Sequence, residues 1–372
     1  MGLVTTGLRK LGHEAFLVAH QKPGTQKLDK PFIPATREEM SSVDWWKAQA
    51  PDAIIINTWS APRHHAIRLA ATAACKRVIE KLDTDGVKSP WIWPWHYVRR
   101  DAVAYELDQG IFGHAKAFAR AMARLAVVGG FPKLLDEKMV RCMQSVPVYA
   151  AETPLAAERV RRFLRMYHAN PMPRVVAIPH PANEALMRYD NTPKENIVVC
   201  IGRWKDAVKG WPLPVEIATR FLKVRKDWRF YLVGQDADEN DPILNQLGDA
   251  RGRFIITGKL DHHSLAQLNR RAKIYLLASH SETFNIAGAE ALCAGCSFVG
   301  PTQIPSSSYF ISRNSGTVSH VRSGVHLADA LLAEASEWDE GHRDPNLISS
   351  EWKSQVGDTT VASRYIDIFK SM

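Results

Sequence analysis

Glu282 and Glu290 stand eight residues apart in the run Ser279-His-Ser-Glu-Thr-Phe-Asn-Ile-Ala-Gly-Ala-Glu290. A short polar-aromatic loop carries the first acid and enters a helix of very small residues that carries the second. Ile274-Tyr-Leu-Leu-Ala278 ahead of the loop reads as a buried strand, and Ser297-Phe-Val-Gly300 behind the helix reads as another. Glu282 then falls at the carboxyl edge of a parallel sheet, where open α/β folds bind ligands. Glu290 lies about two turns deeper on the helix. Between them, the helix amino terminus offers free N–H groups and a positive dipole end to an anion.

Two cations converge on the same edge. Gly202-Arg203 follows the strand Ile197-Val-Val-Cys-Ile201 and precedes Lys209-Gly210. An arginine forks onto oxygens and a lysine acts as a point charge, so Arg203 and Lys209 make a clamp for a diphosphate. A solvated basic loop would look the same in isolation. Gly234-Gln-Asp236 and Gly258-Lys-Leu260, after the next two strands, add turns where a ligand can approach the backbone.

The elements that position these residues alternate. From 197 onward, strands at 197–201, 230–233, 253–257 and 274–278 are separated by helices near 213–224, 241–249 and 263–271, a pattern of parallel sheets. The first half gives strands at 52–57, 77–82, 146–150 and 174–178, a helix from 62 to 74, and a Trp-rich basic stretch, 89–143, that is mostly helical. Gly12 caps a helix that ends before a strand near 14–19. No strand precedes that helix, so an upstream start or truncated chain is expected. Pro171, Pro173, Pro179 and Pro181 punctuate the boundary between halves. A charged loop leads to a last helix at 357–371. The expected fold class is therefore α/β, with two doubly wound halves and a cleft between them. The domains are residues 1–185, residues 186–355, and a closing helix, 356–372, returning to the first.

The length, 372 residues, favours two domains. An apolar fraction of 45% allows sizeable cores, and no stretch approaches the ~20 apolar residues of a membrane span. Five cysteines, an odd and small number, argue against a disulfide framework and for a reducing compartment, the cytoplasm. A net charge of +9 suits anionic partners such as nucleotides, phosphorylated lipids, a membrane surface or nucleic acid, without choosing among them.

Taken together, Arg203, Lys209 and the Glu282–Glu290 pair resemble the retaining, nucleotide-sugar-dependent glycosyltransferases of family 4, which have the GT-B fold of two Rossmann-like domains. Glu282 and Glu290 match that family's E-x7-E motif. The likeness is specific over about 197–300 and loose before. It implies that Glu290 holds the donor ribose and that Glu282, with Thr283 and the Phe284-Asn285-Ile286 backbone, holds the transferred sugar and its phosphate. Arg203 and Lys209 would neutralise the leaving diphosphate, and Lys259 and Leu260 would face the base. The implied donor is a UDP- or GDP-sugar, with no other cofactor and no metal, and the acceptor a glycan or glycolipid. The alternatives are transfer to modified DNA bases and nucleotide-sugar binding without turnover.

The chain departs from the family in two places. Only Gly2 could be the remnant of the family's first glycine-rich turn, which touches the donor. Asp83, with Thr84 and Asp85 beside it, stands where a strand often leads to a catalytic histidine; it could orient the sugar or acceptor, or simply cap a strand end. Cys293-Ala-Gly-Cys296 falls at the end of its helix, away from the positive pole that activates thiolates, and reads as small core residues. His262-His263 after Asp261 reads as helix capping, and His280 lies near the site. Lys116, Arg120 and Arg124 form a basic stripe on a helix partly opposed to Phe118, Met122 and Leu125, with Trp91, Trp93 and Trp95 upstream. Such a helix can lie on the inner face of an anionic membrane or face solvent.

Overall fold

A computed structural model describes residues 2–19, 32–57, 62–83, 110–127, 129–183 and 189–372. The described residues form two compact units. One holds those within 1–98, 120–181 and 358–372, the other those within 99–119 and 182–357. Thr84, Asp85, Trp91, Trp93 and Trp95 lie outside the described residues.

The first unit opens with α1 (Gly2–Lys10). Gly12, at φ 85°, closes it, with the amide of Gly12 on the Arg9 carbonyl and that of His13 on Leu8. β1 (Leu17–Ala19) and β2 (Phe32–Pro34) pair as a small parallel sheet. After α2 (Arg37–Met40) and α3 (Val43–Ala48) comes β3 (Ile54–Ile56). A 3-10 turn at Pro62–His64 leads into α4 (His65–Ala74), then β4 (Val78–Leu82). The helices α5 (Gly110–Val127), whose residues 110–119 group with the second unit, and α6 (Pro132–Met143) precede β5 (Val148–Ala151), α7 (Pro154–Met166) and β6 (Arg174–Ala177). β3 to β6 form a four-stranded parallel sheet in sequence order, and no described strand links it to the β1–β2 pair. β4 and β5 are buried along their whole length; β5 reads as an apolar run, whereas β4 buries Glu80 against Arg68 and Lys81 against Glu152.

The second unit starts with β7 (Glu195–Ile201), α8 (Leu213–Val224) and β8 (Arg229–Val233). A 3-10 segment at Pro242–Arg253 follows, then β9 (Phe254–Gly258), α9 (His262–Arg271) and β10 (Ala272–Leu276). Next come α10 (Ile286–Cys293), β11 (Ser297–Pro301), α11 (Pro305–Phe310), β12 (Gly316–Ser319), α12 (Gly324–Asp339) and α13 (Pro345–Val356). Its six strands are all parallel, in the order β12-β11-β10-β7-β8-β9. This is the doubly wound order, and its direction reverses between β7 and β10. In its core Phe221 packs on Trp228 and Phe230 on Phe254, while Phe284 and Phe298 both pack on Phe310, all of them buried.

α14 (Asp358–Lys370) belongs to the first unit. Its Val361, Tyr365 and Ile368 share a core with Val4 of α1 and with Ile79 and Val148 of the sheet.

Two expectations are corrected. The helix near 241–249 is a 3-10 segment bent at Gly248. The stretch read as a charged loop before the last helix holds α12 and α13 in full. α12 buries Leu327, Ala328, Leu331, Ala335 and Trp338 at helical spacing, but alanines dilute the apolar signal and outward acids dominate it.

Candidate donor site

The reversal point of the second sheet decides which loops meet. β7 ends in the Gly202–Gly210 loop, and its neighbour β10 ends in the Leu277–Asn285 loop. Across this point Lys209 Nζ bonds Glu282 Oε1 at 2.5 Å, and Ser279 Oγ donates to the same oxygen at 2.8 Å. The Lys209 side chain is 22% exposed and that of Glu282 14%, so the pair is half-buried yet reachable. The backbone holds it in place: His280 N–H donates to the Val208 carbonyl at 2.7 Å, and a 3-10 turn at Ala207–Lys209 aims the lysine inward. Gly234, at φ 128°, lets β8 turn beside this loop; a Cβ there would stand 1.7 Å from the Gly202 carbonyl oxygen.

Asn285 starts α10 at φ 63°, a left-handed conformation that asparagine tolerates. Its Oδ1 accepts from the Gly288 amide at 2.7 Å and from the Tyr275 hydroxyl at 2.9 Å. The side chain is thus consumed as a cap. Phe284 is 1% exposed and packs against Phe310 at 5.1 Å, so only the backbone of this pair is left for a ligand. Ile286 remains exposed. Glu290 is buried, with Oε1 accepting from the Asn183 amide at 3.3 Å. Burial pushes its carboxyl up to about 7, against the pull of that single N–H.

Arg203 is exposed and lies 3.9 Å from Asp206. Lys259 is exposed just after β9, and Leu260 rests partly on the core. In this unit, Lys209, Glu282 and the α10 amino terminus are brought together, Arg203 stands at the rim of the same loop, and Glu290 lies one turn into the helix. Two residues were missed by sequence reasoning: Ser279, which fixes Glu282, and Arg322, whose Nε donates to the Ala278 and Ser279 carbonyls at 3.0 and 2.8 Å. Neither has a motif signal, since Arg322 arrives from β12, more than forty residues on.

In the first unit Gly2 opens α1. Asp83 is exposed after β4, and its charge acts on the His180 ring. His180 is pushed down to about 4, chiefly by burial and then by Lys81. Lys81 and Glu152 form a buried ion pair at 3.0 Å. Cys293 and Cys296 are buried free thiols, and burial pushes both up. Asp261 caps α9 through the Ser264 amide at 2.7 Å. Among the described residues, one group could hold a cation, Glu337, Glu340 and His342; it sits at the far end of α12, with His342 between the two carboxylates.

Residues 195–334, somewhat over a third of the chain, match the family described as glycosyl transferases group 1. No curated protein matches the chain. Solved structures with the same fold include sucrose-phosphate synthase from Thermosynechococcus elongatus, 15% identical over 99% of this chain and 91% of that one, TM-score 0.65. The HepE protein of Anabaena, solved with UDP and glucose, is 12% identical over 100% and 95%, TM-score 0.64. A glycosyltransferase from Rickettsia africae is 13% identical over 99% and 93%, TM-score 0.66. The fold is the GT-B architecture of two Rossmann-like domains. With a group 1 domain on the half that carries Glu282 and Glu290, the protein is a glycosyltransferase (EC 2.4).

Proposed function

We propose that this glycosyltransferase is a retaining enzyme of the family 4 type, moving a hexose from a UDP- or GDP-linked donor to a glycan or glycolipid acceptor. The observation that carries this reading is the Lys209–Glu282 pair held across the reversal point of the sheet, at the amino terminus of α10. Breaking a glycosyl–phosphate bond leaves negative charge on the diphosphate and positive character on the sugar ring. Lys209, Arg203 and the first N–H groups of α10 stabilise the former. Glu282, whose Oε1 takes the Lys209 and Ser279 bonds, offers its second oxygen to sugar hydroxyls and supports the ring. Glu290 receives the ribose, the Thr283–Ile286 main chain the phosphate, and the Lys259–Leu260 backbone the base. For Asp83 the family resemblance implies a role in orienting the sugar or the acceptor, and for Gly2 one in touching the donor. Side-chain cations in these roles make a metal unnecessary.

The family match over 195–334 and a UDP complex of a protein with the same fold support a nucleotide-sugar donor. Calorimetry with UDP and GDP, followed by a screen of donor sugars for nucleotide release, tests the reading. Glu282→Ala is expected to lower transfer about 100-fold or more while nucleotide still binds. Glu290→Ala is expected to weaken nucleotide binding about tenfold. Unchanged activity and affinity in both variants would refute the site.

The acceptor reading extends to a membrane surface on the cytoplasmic side. Lys116 and Arg120 are exposed on α5, and so are Phe118 and Met122, while Leu125 and Ala121 are buried. Exposed basic and apolar side chains at neighbouring positions of one helix suit an anionic lipid surface.

A further inference from the structure

Arg322 follows β12, in the turn that Ser323 caps into α12. Its Nε bonds to the Ala278 and Ser279 carbonyls secure the root of the loop that carries Glu282. Its Nη2 stands over Gly210: a Cβ there would lie 2.3 Å from that nitrogen and 3.4 Å from His280 Cδ2. Gly210, at φ 80°, is next to Lys209. One guanidinium therefore touches both loops whose side chains meet in the Lys209–Glu282 pair.

The charges of the site do not cancel. Lys209 faces Glu282 at 2.5 Å, Arg203 faces Asp206 at 3.9 Å, and Lys205 faces Asp236 at 3.8 Å. Arg322 has no carboxylate partner among the described residues, and its buried Nη2 finds no hydrogen-bond acceptor. Burial pushes its pKa down with no acid to offset it, yet a guanidinium does not deprotonate in a protein. His280, alongside, is itself pushed down by burial and by the charge of Arg322. A half-buried cation with no counter-ion and a buried N–H with no acceptor both cost free energy. A preorganised site accepts such a cost where negative charge arrives with the ligand.

We propose that Arg322 supplies the uncompensated positive charge of the donor site and sets its preference for a diphosphate, acting as a positioning residue through the two loops it joins. The inference rests on the donor reading of residues 202–210 and 279–290. It concerns a residue outside the E-x7-E motif and outside the Arg203–Lys209 pair.

The test compares charged with uncharged ligands, because damage to the fold would weaken both. UDP and GDP, and by competition uridine and guanosine, are titrated into the full chain and its Arg322→Lys, Arg322→Gln and Arg322→Met variants. The Met and Gln variants are expected to lose about tenfold in affinity for the diphosphate and little for the nucleoside. Lys, which keeps the charge and loses the fork, is expected to keep most of the diphosphate preference. The Gln variant, which keeps an amide donor for the carbonyls, gives the ratio if the Met variant does not fold. An unchanged diphosphate-to-nucleoside ratio in Gln and Met overturns the inference, and so does an equal loss for both ligands. A wild-type protein that binds neither UDP nor GDP overturns the donor reading and this inference with it.

Discussion

Glu290 is the residue whose chemistry depends most on its surroundings. Its carboxyl titrates at about 7 where 4.5 is ordinary, because burial disfavours the charged form more than the Asn183 amide favours it. The folded state therefore binds more protons than the unfolded one between pH 4.5 and 7, and stability should fall as pH rises through that window and level off above it. The effect is on the order of 3 kcal/mol, and Glu290→Gln should abolish it in melts taken across the range. In the proposed ribose contact, hydroxyls donate to the ionised carboxylate, so nucleotide affinity should rise with pH to about 7, with proton release on binding. Calorimetry in buffers of different ionisation enthalpy reads that release, and its absence in the wild type would count against Glu290 as the ribose contact.

At the scale of elements, the two sheets are secured differently. β4 and β5 are joined by the buried Lys81–Glu152 pair, both side chains almost fully excluded from water. Removing one partner strands the other, so Glu152→Ala should cost about 3–5 kcal/mol in chemical denaturation, and a Lys81→Met, Glu152→Leu double variant should recover most of it. In the second sheet the constraint is backbone space. Gly234→Ala would drive a methyl group into the Gly202 carbonyl at a positive φ, and it should move the Lys209 loop, lowering nucleotide affinity together with thermal stability. Most strands and several helices of this unit were legible as apolar runs and caps. α12 and α13 were not, because alanine, serine and the buried Glu334 interrupt the apolar signal of Leu327, Leu331, Ile348 and Val356.

For the whole molecule, the net charge of +9 has two outlets. One is the proposed donor site. The other is the exposed segment of α5, where Lys116 and Arg120 stand beside Phe118 and Met122. Among the described residues no helix is long and apolar enough to cross a membrane. Vesicles containing anionic lipid should bind the protein at low salt and release it as salt rises. Replacing Lys116, Arg120 and Arg124 together should abolish binding without changing nucleotide affinity. Equal binding to neutral vesicles would exclude the charge-driven part of this reading.

The sequence by itself determined the α/β class, the order of strands and helices around Glu282 and Glu290, and the cap at Asp261, because periodicity and capping are local properties. Only the tertiary structure decided that Lys209 pairs with Glu282, that Phe284 and Asn285 spend their side chains on packing and capping, and that Arg322 joins the site. The strand order of the sheet brings residue 209 beside 282 and 322 beside 279. Such neighbourhoods follow from how parallel strands are ordered in space, and no spacing along the chain encodes them.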